Sequence, residues 1–475
     1  MIPITQSLRD DFIRELGREK VLHTKEDLLP YRYDAFALVK GEAGLAVLPS
    51  STHDVSTIVK ICNKNGIPFL ARGAGTSLSG GSIPLENCIV ILFSKMNRIL
   101  EIDYDNRTVL AEAGATNISI SSAVADRGMM YAPDPSSQLV CTIGGNIAHN
   151  SGGLHTLKYG VTTNHILAAE VVLHDGEIVQ IGSKARERIG YDLLGLVNGA
   201  DGTIAVVTRA LLKIIPKPRN VKTLLAEFGS VEHAGDASSE IISSGTLPAA
   251  MELMDNLVIS AIEDSIHAAG YRKDVGAILL VEVDGPEDEN ELDSRRVIEI
   301  CYRNHSTAVK VAEDESQRQR FWSGRKGAFA SMGRLGTNYI VQDGVIPRSN
   351  IAEALAKIGS IGRQFNLRIA NVFHAGDGNL HPLIIFNEAN GETEKAIKAS
   401  VETIRICTEL GGSITGEHGI GIEKRDLMGL MFNEKDLELM RWVKEVFDPN
   451  MLCNPCKVIP QGSRCLELIP GLAIK

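Results

Sequence analysis

RGAGTSLSGG, residues 72–81, sets four glycines among Ala74, Thr76, Ser77 and Ser79, so its backbone lies open to close approach. What flanks this loop decides the fold. Upstream, AGLAVL (residues 43–48) reads as a buried strand, and the next segment carries Val55, Ile58, Val59 and Cys62 at helical spacing. Ser51 or Thr52 is placed to cap that helix and Gly66 to end it. IPFLA (residues 67–71) is a second strand, which makes the loop the end of a β-α-β unit. A dinucleotide fingerprint needs a helix directly after the glycines. Here the chain runs through Gly80, Gly81 and Pro84 into CIVILF, another strand, so the nicotinamide reading is excluded. Walker A is excluded as well, because no Gly-Lys-Ser/Thr follows. Two readings stay open for this strand-loop-strand: a plain glycine turn, or an anion-binding concavity of backbone N–H groups and the Thr76, Ser77 and Ser79 hydroxyls.

Two further glycine-rich blocks follow. Residues 132–167 contain Gly144-Gly145-Asn146 and Ser151-Gly152-Gly153, and AAEVVLHDGEIV after them reads as a hairpin turning at Asp175-Gly176. NGADGTIAVVTRALLKIIPKP, from Asn198, repeats the loop chemistry and leads into a strand pair. A length of 475 residues suggests two or three domains. With 49 basic against 59 acidic residues and no basic cluster, a nucleic-acid surface is excluded, and small molecules or proteins are the expected partners. Eight cysteines are sparse for this length, and MIPITQSLRDDF has neither a basic nor an apolar leader. Cytoplasmic location, reduced thiols and no direct membrane span are therefore expected.

RIANVFHAGDGNLHPLIIF, residues 368–386, places two apolar runs around Asp377-Gly378, a two-residue hairpin signal that sets His374 directly opposite His381. In TGEHGIG, Gly416 and Gly419 permit a turn bringing Glu417 and His418 into one pocket. Two histidines and a carboxylate make a catalytic metal pattern. The same residues also fit a purely structural histidine pair, or a metal-dependent hydrolase with merely structural glycine loops.

Together with FWSGRKGAF, GGSITGEHGIGIEKRDLM and NPCKVIP, these blocks resemble, from about residue 40 to residue 460, the D-2-hydroxy acid dehydrogenase branch of the vanillyl-alcohol oxidase family. The resemblance implies an α+β chain. It would have a PCMH-type FAD-binding domain at residues 1–219 (core about 40–218), an α+β cap with antiparallel sheet at 220–415, and a C-terminal helical segment, 416–475, returning to the flavin. Arg72, Gly73, Ala74, Gly75, Thr76, Ser77, Gly80 and Gly81 would hold the FAD pyrophosphate. Pro133, Asp134, Gly144, Gly145, Asn146 and Ser151 would hold the flavin and its linker, and Gly202, Thr203 and Ile204 the adenine or ribose. Asn454 would return near the flavin. Noncovalent FAD is expected, since residues 72–81 contain no His or Cys; His149 and His155 are the exceptions to watch.

The resemblance further implies a divalent metal on His374, His381 and Glu417, with Zn²⁺ expected and Mn²⁺ or Fe²⁺ as alternatives. His418 would be the general base and Arg325 the substrate carboxylate ligand. The implied reaction takes a small D-2-hydroxy acid of the glycolate or D-lactate class to the 2-oxo acid, with hydride passing to flavin N5. Electrons would pass to a quinone or iron–sulfur partner, in company with a second flavin-type subunit and an iron–sulfur subunit through which the chain would associate with a membrane. A rival is a nucleotide-binding subunit without chemistry of its own. Two departures from the family pattern stand out. Val341 and Phe329 are apolar where diacid-handling branches carry lysine and threonine, which favours a small substrate. Cys456 replaces a glycine, leaving a Cys453-Asn-Pro-Cys456 stretch without a second pair.

Overall fold

The helix Thr52–Asn65 forms where the spacing places it. Ser51 caps it by accepting from the Asp54 amide, Gly66 ends it in the left-handed region, and Val55, Ile58, Val59 and Cys62 are all buried. A computed structural model describes residues 3–185 and 190–460 of the chain. It divides into two units: one holds the described residues through Gly152, Gly160–Lys217 and those from Glu417 on, the other Gly153–Tyr159 and Pro218–Gly416.

In the first unit, among the described residues, β1 (Val21–Leu22), β2 (Ala43–Val47), β3 (Phe69–Arg72) and β4 (Cys88–Leu92) form a sheet in the order β1-β2-β4-β3. β4 runs parallel to both β2 and β3 and is buried along its whole length, as a strand covered on two faces requires. The glycine loop therefore joins two neighbouring parallel strands without a helix. A second sheet uses β5 (Ile99–Asp103), β6 (Thr108–Glu112), β8 (Ile166–Val172), β9 (Ile178–Gly182) and β10 (Val206–Lys213) in the order β5-β6-β10-β8-β9, while β7 (Met129–Met130) pairs β11 (Ile215–Pro216). β8 and β9 are the hairpin read around Asp175-Gly176. The helix Glu434–Phe447 and the irregular, turn-rich residues after it complete this unit, with Cys453 bridging in parallel to Phe69.

The second unit is built on one antiparallel sheet. β12 (Asn220–Phe228), β13 (Ala250–Asp255), β14 (Ala277–Gly285) and β15 (Ser306–Val311) give the order β15-β12-β14-β13. β16 (Asn338–Val341), β17 (Gly344–Val345), β18 (Arg368–His374), β19 (Asn379–Leu380) and β20 (Pro382–Phe386) extend it beyond β13, where β18 pairs both β19 and β20. Helices Val231–Ser243, Glu287–Arg303, Ile351–Phe365 and Thr393–Glu409 pack on it. The mixture is α+β, as expected.

The register of the β18 hairpin differs from the sequence reading. His374 pairs with Asn379 and Ala370 with Leu383, two residues away from the predicted alignment. Four residues, Ala375–Gly378, make the reversal, with the Gly378 amide donating to the His374 carbonyl at 3.2 Å. β17 dictates this: it pairs with β19, and the Ile346 carbonyl stands 2.2 Å from where a Gly378 Cβ would sit. A slip of two preserves sidedness. The histidines consequently still share a face, as diagonal neighbours with ring centroids 5.1 Å apart and planes near perpendicular.

Candidate active site

The first unit contains a cleft lined by Arg72–Leu78, Gly81, Thr142, Gly144, Gly145, Asn146, Ser151 and Gly202, and also by Glu417 and His418. Most of the expected cofactor residues thus meet in one place. The two glycine loops touch: a Cβ on Gly73 would stand 2.1 Å from Thr142 Oγ1, the hydroxyl that caps the helix Ile143–His149 by accepting from the Gly145 amide. Gly81 is similarly confined, since a Cβ there would lie 2.6 Å from the His149 ring. The cleft suits a polar, extended ligand such as FAD. Asn146 is buried on its wall with Nδ2 unpaired by any protein atom, a donor waiting for a ligand acceptor.

Gly80, Pro133, Asp134, Thr203, Ile204 and Asn454 do not line the cleft. They shape it from behind. Gly80 turns the loop at a φ of 78°, the Pro133 carbonyl accepts from Asn117 Nδ2, and Asn454 Nδ2 donates to the carbonyls of Gly81 and Asp201 at 3.0 and 2.7 Å. The Arg72 guanidinium is committed to the loop itself, donating to the carbonyls of Ser82 and Tyr33. Ser79 departs from the reading of its hydroxyl as an anion ligand. Its Oγ donates to the His418 carbonyl at 3.0 Å, and its own carbonyl accepts from the Ile422 and Glu423 amides. The loop thereby doubles as the platform on which the His418 segment rests.

Sequence reasoning did not pair His149 with Asp201. Both line the cleft, Nδ1 to Oδ1 is 2.8 Å, and Asp201 Oδ2 accepts from the Gly421 amide at 2.6 Å. Burial opposes charging of His149, but Asp201 outweighs it and raises the imidazole above its ordinary pKa. Cys453 and Cys456 do not act as a pair. Cys456 is disulfide-bonded, which corrects the expectation of wholly reduced thiols. Cys453 is a free thiol whose Sγ reaches the Gly202 carbonyl at 3.1 Å, and burial pushes its pKa up to about 12.

In the second unit, His374 and His381 share one face of the sheet, and they and Arg325, from the helix Glu315–Lys326, are buried. Glu252, unnoticed in the sequence, is the direct cross-strand partner of His374. Its Oε1 lies 2.6 Å from His374 Nδ1, and its Oε2 accepts from Arg325 Nε at 2.7 Å and lies 2.7 Å from Arg325 Nη2 in an ion pair. Burial opposes ionisation of Glu252, but Arg325 and His374 prevail and hold the carboxyl below its usual range. The one available signal was an acidic residue inside the apolar strand AMELMD. His381 Nδ1 lies 3.3 Å from the Gln342 carbonyl. Asp343 Oδ2 accepts from Thr415 Oγ1 and the Gly416 amide at 2.6 and 2.9 Å, anchoring the chain just ahead of Glu417. Asn379 Oδ1 is buried beside His374 without a protein partner. His155, one of the two exceptions considered for flavin attachment, sits in this unit with Nε2 3.3 Å from Glu282.

Comparison with known proteins agrees with this geometry. A family profile described as FAD linked oxidases, C-terminal domain, matches residues 217–458, and one described as FAD binding domain matches residues 43–182. The glycolate oxidase subunit GlcD of Escherichia coli is 45% identical over 94% of this chain and 90% of its own. A D-lactate dehydrogenase of Anaerostipes hadrus is 32% identical over 96% and 98%. Among solved structures, p-cresol methylhydroxylase with bound substrate superposes with a TM-score of 0.80 at 18% identity, covering 96% of this chain and 98% of that one. That likeness establishes the PCMH-type fold.

Proposed function

Since the chain belongs to the FAD-linked oxidase family and is an FAD-dependent 2-hydroxy acid oxidoreductase, we propose that it converts a small D-2-hydroxy acid of the glycolate or D-lactate class to the 2-oxo acid. One observation carries the reading of the reaction site: two buried imidazoles with ring centroids 5.1 Å apart are tied through Glu252 to a buried guanidinium. We assign His374, His381 and Glu417 as ligands of a divalent cation, Zn²⁺ first among N/N/O binders. The unpaired Asn379 oxygen and the Asp343 anchor at Gly416 support that donor set. Bound FAD supplies an acceptor at N5 for the hydride from Cα, and a bound cation lowers the pKa of the substrate hydroxyl.

The chain's own residues do the rest. Arg325 has two of its nitrogens occupied by Glu252, and its remaining N–H groups suit the substrate carboxylate. His418 takes the hydroxyl proton on a ring nitrogen as hydride leaves Cα. Phe329, whose ring centroid is 6.3 Å from that of His381, and the apolar Val341 leave no cation for a second carboxylate, which favours a small monoacid. FAD is held noncovalently, the His149 ring being engaged by Asp201. Electrons pass to a quinone or iron–sulfur partner. The subunit status of the Escherichia coli relative supports assembly with a second flavin-type subunit and an iron–sulfur subunit. No helix among the described residues is long and apolar enough to cross a membrane, and we assign the chain to the cytoplasm with membrane association through those partners.

Anaerobic mixing with D- and L-2-hydroxy acids tests this. Bleaching of the flavin by D-glycerate-sized or smaller D-acids and by glycolate is expected. A protein bleached only by L-acids or dicarboxylates would overturn the substrate assignment.

A further inference from the structure

We propose that Glu252 is a positioning residue that fixes the tautomer of His374, so that Nε2 carries the lone pair offered to a cation, while the same carboxylate orients the Arg325 guanidinium. This rests on the reading of His374 as a metal ligand. Glu252 faces His374 directly across β13 and β18, where side chains of paired residues share one side of the sheet. All three groups are buried: Glu252 is 0%, Arg325 3% and His374 7% exposed.

An ionised carboxylate only accepts hydrogen bonds. At 2.6 Å from Glu252 Oε1, the Nδ1 of His374 therefore carries its proton, and a neutral ring with Nδ1–H has its acceptor lone pair on Nε2. Arg325 supplies the charge that keeps the carboxylate ionised in a dry setting, so the imidazole need not be protonated for balance. Glu252 and His374 both project from strands, β13 and β18, which are more rigid than loops. One side chain thus aligns a cation ligand and a candidate substrate ligand together. Ligand-orienting carboxylates of this kind commonly change metal affinity by about 10- to 100-fold when replaced.

Glu252→Gln is isosteric but has one acceptor and one donor group. Its amide must either point N–H at Arg325 or point N–H at His374 Nδ1, which forces the proton onto Nε2. The test is Zn²⁺ affinity of the FAD-loaded protein, measured by competition with a chromogenic chelator at slightly alkaline pH. Glu252→Gln should weaken binding about 10- to 100-fold, and the same change should cost nothing further in a His374→Ala background. Because loss of one partner can unfold a buried ion pair, Glu252→Gln/Arg325→Gln is measured beside it. This double variant restores neutrality and should keep its FAD, yet bind Zn²⁺ as weakly as Glu252→Gln. If the wild-type protein takes up no Zn²⁺, both the cation reading and this proposal fall. If it binds Zn²⁺ and a folded Glu252→Gln binds equally tightly, or if the penalty persists undiminished without His374, only the positioning role is overturned.

Discussion

His149 Nδ1 lies 2.8 Å from Asp201 Oδ1 inside the cleft of the first unit. Burial would depress the imidazole pKa, and the carboxylate reverses that and raises it. A group whose pKa rises on folding stabilises the fold fully below its unfolded value, about 6.5, and that stabilisation is lost as pH climbs through the folded value. The melting temperature should therefore decline from about pH 6 to about pH 9 more steeply in the wild type than in Asp201→Asn. Coincident profiles would show that the pair holds no proton of its own.

Gly73→Ala should lose FAD while the rest of the fold survives, because the added methyl falls 2.1 Å from Thr142 Oγ1 and pushes the two glycine loops apart. The ratio of flavin to protein absorbance reads this directly. Stoichiometric flavin in the variant would mean that the loops can separate and still grip the cofactor.

His374→Ala and His381→Ala should each lose the cation on isolation, keeping only a weak residual affinity for added Zn²⁺, and leave FAD in place, since both imidazoles stand on the β18–β20 face of the second unit while the cofactor cleft belongs to the first. Elemental analysis beside flavin content distinguishes the two losses. Full cation occupancy in both variants would relocate the ligands.

Arg325→Lys should raise the apparent KM for the hydroxy acid by more than it changes flavin content. Lysine keeps the charge opposite Glu252 but loses the planar set of N–H groups that can serve two carboxylates at once. Arg325→Ala should go further and cost about 3–5 kcal/mol of stability, the usual result of stranding a buried carboxylate. Denaturant unfolding measures that second effect, and an unchanged midpoint would contradict it.

His418→Asn should retain FAD and cation yet slow flavin reduction by roughly 10²-fold or more, the range of a lost general base. Rapid mixing with excess Zn²⁺ checks it. Recovery to near wild-type speed would make His418 a ligand instead.

What the sequence revealed and what it hid follow from range of interaction. The helix Thr52–Asn65 was legible because Ser51, Gly66 and the apolar spacing are all local. The meeting of the glycine loops was legible from composition, although Ser79 turned out to serve His418 rather than a ligand. The β18 hairpin kept its histidines on one face but not its register, since β17, some thirty residues away, overrode the Asp377-Gly378 turn preference. Glu252 and Asp201 were invisible for the same reason. Their partners His374 and Gly421 lie 122 and 220 residues distant, and the acidic residue inside AMELMD marks Glu252 as unusual without naming its partner.

Asn454 closes a loop of chain that begins at Gly81, its amide gripping the carbonyls of Gly81 and Asp201. During synthesis the glycine loops emerge long before that clamp exists. Some 240 residues separate Lys217 from Asn454, and at 5–20 residues per second the ribosome needs roughly 10–50 s to deliver it. The residues of the second unit emerge within that interval, whereas the cofactor cleft must wait unfinished for the stretch around Asn454. A chain terminated just ahead of Asn454 would carry every glycine of the cleft and still lack the residue that ties them together.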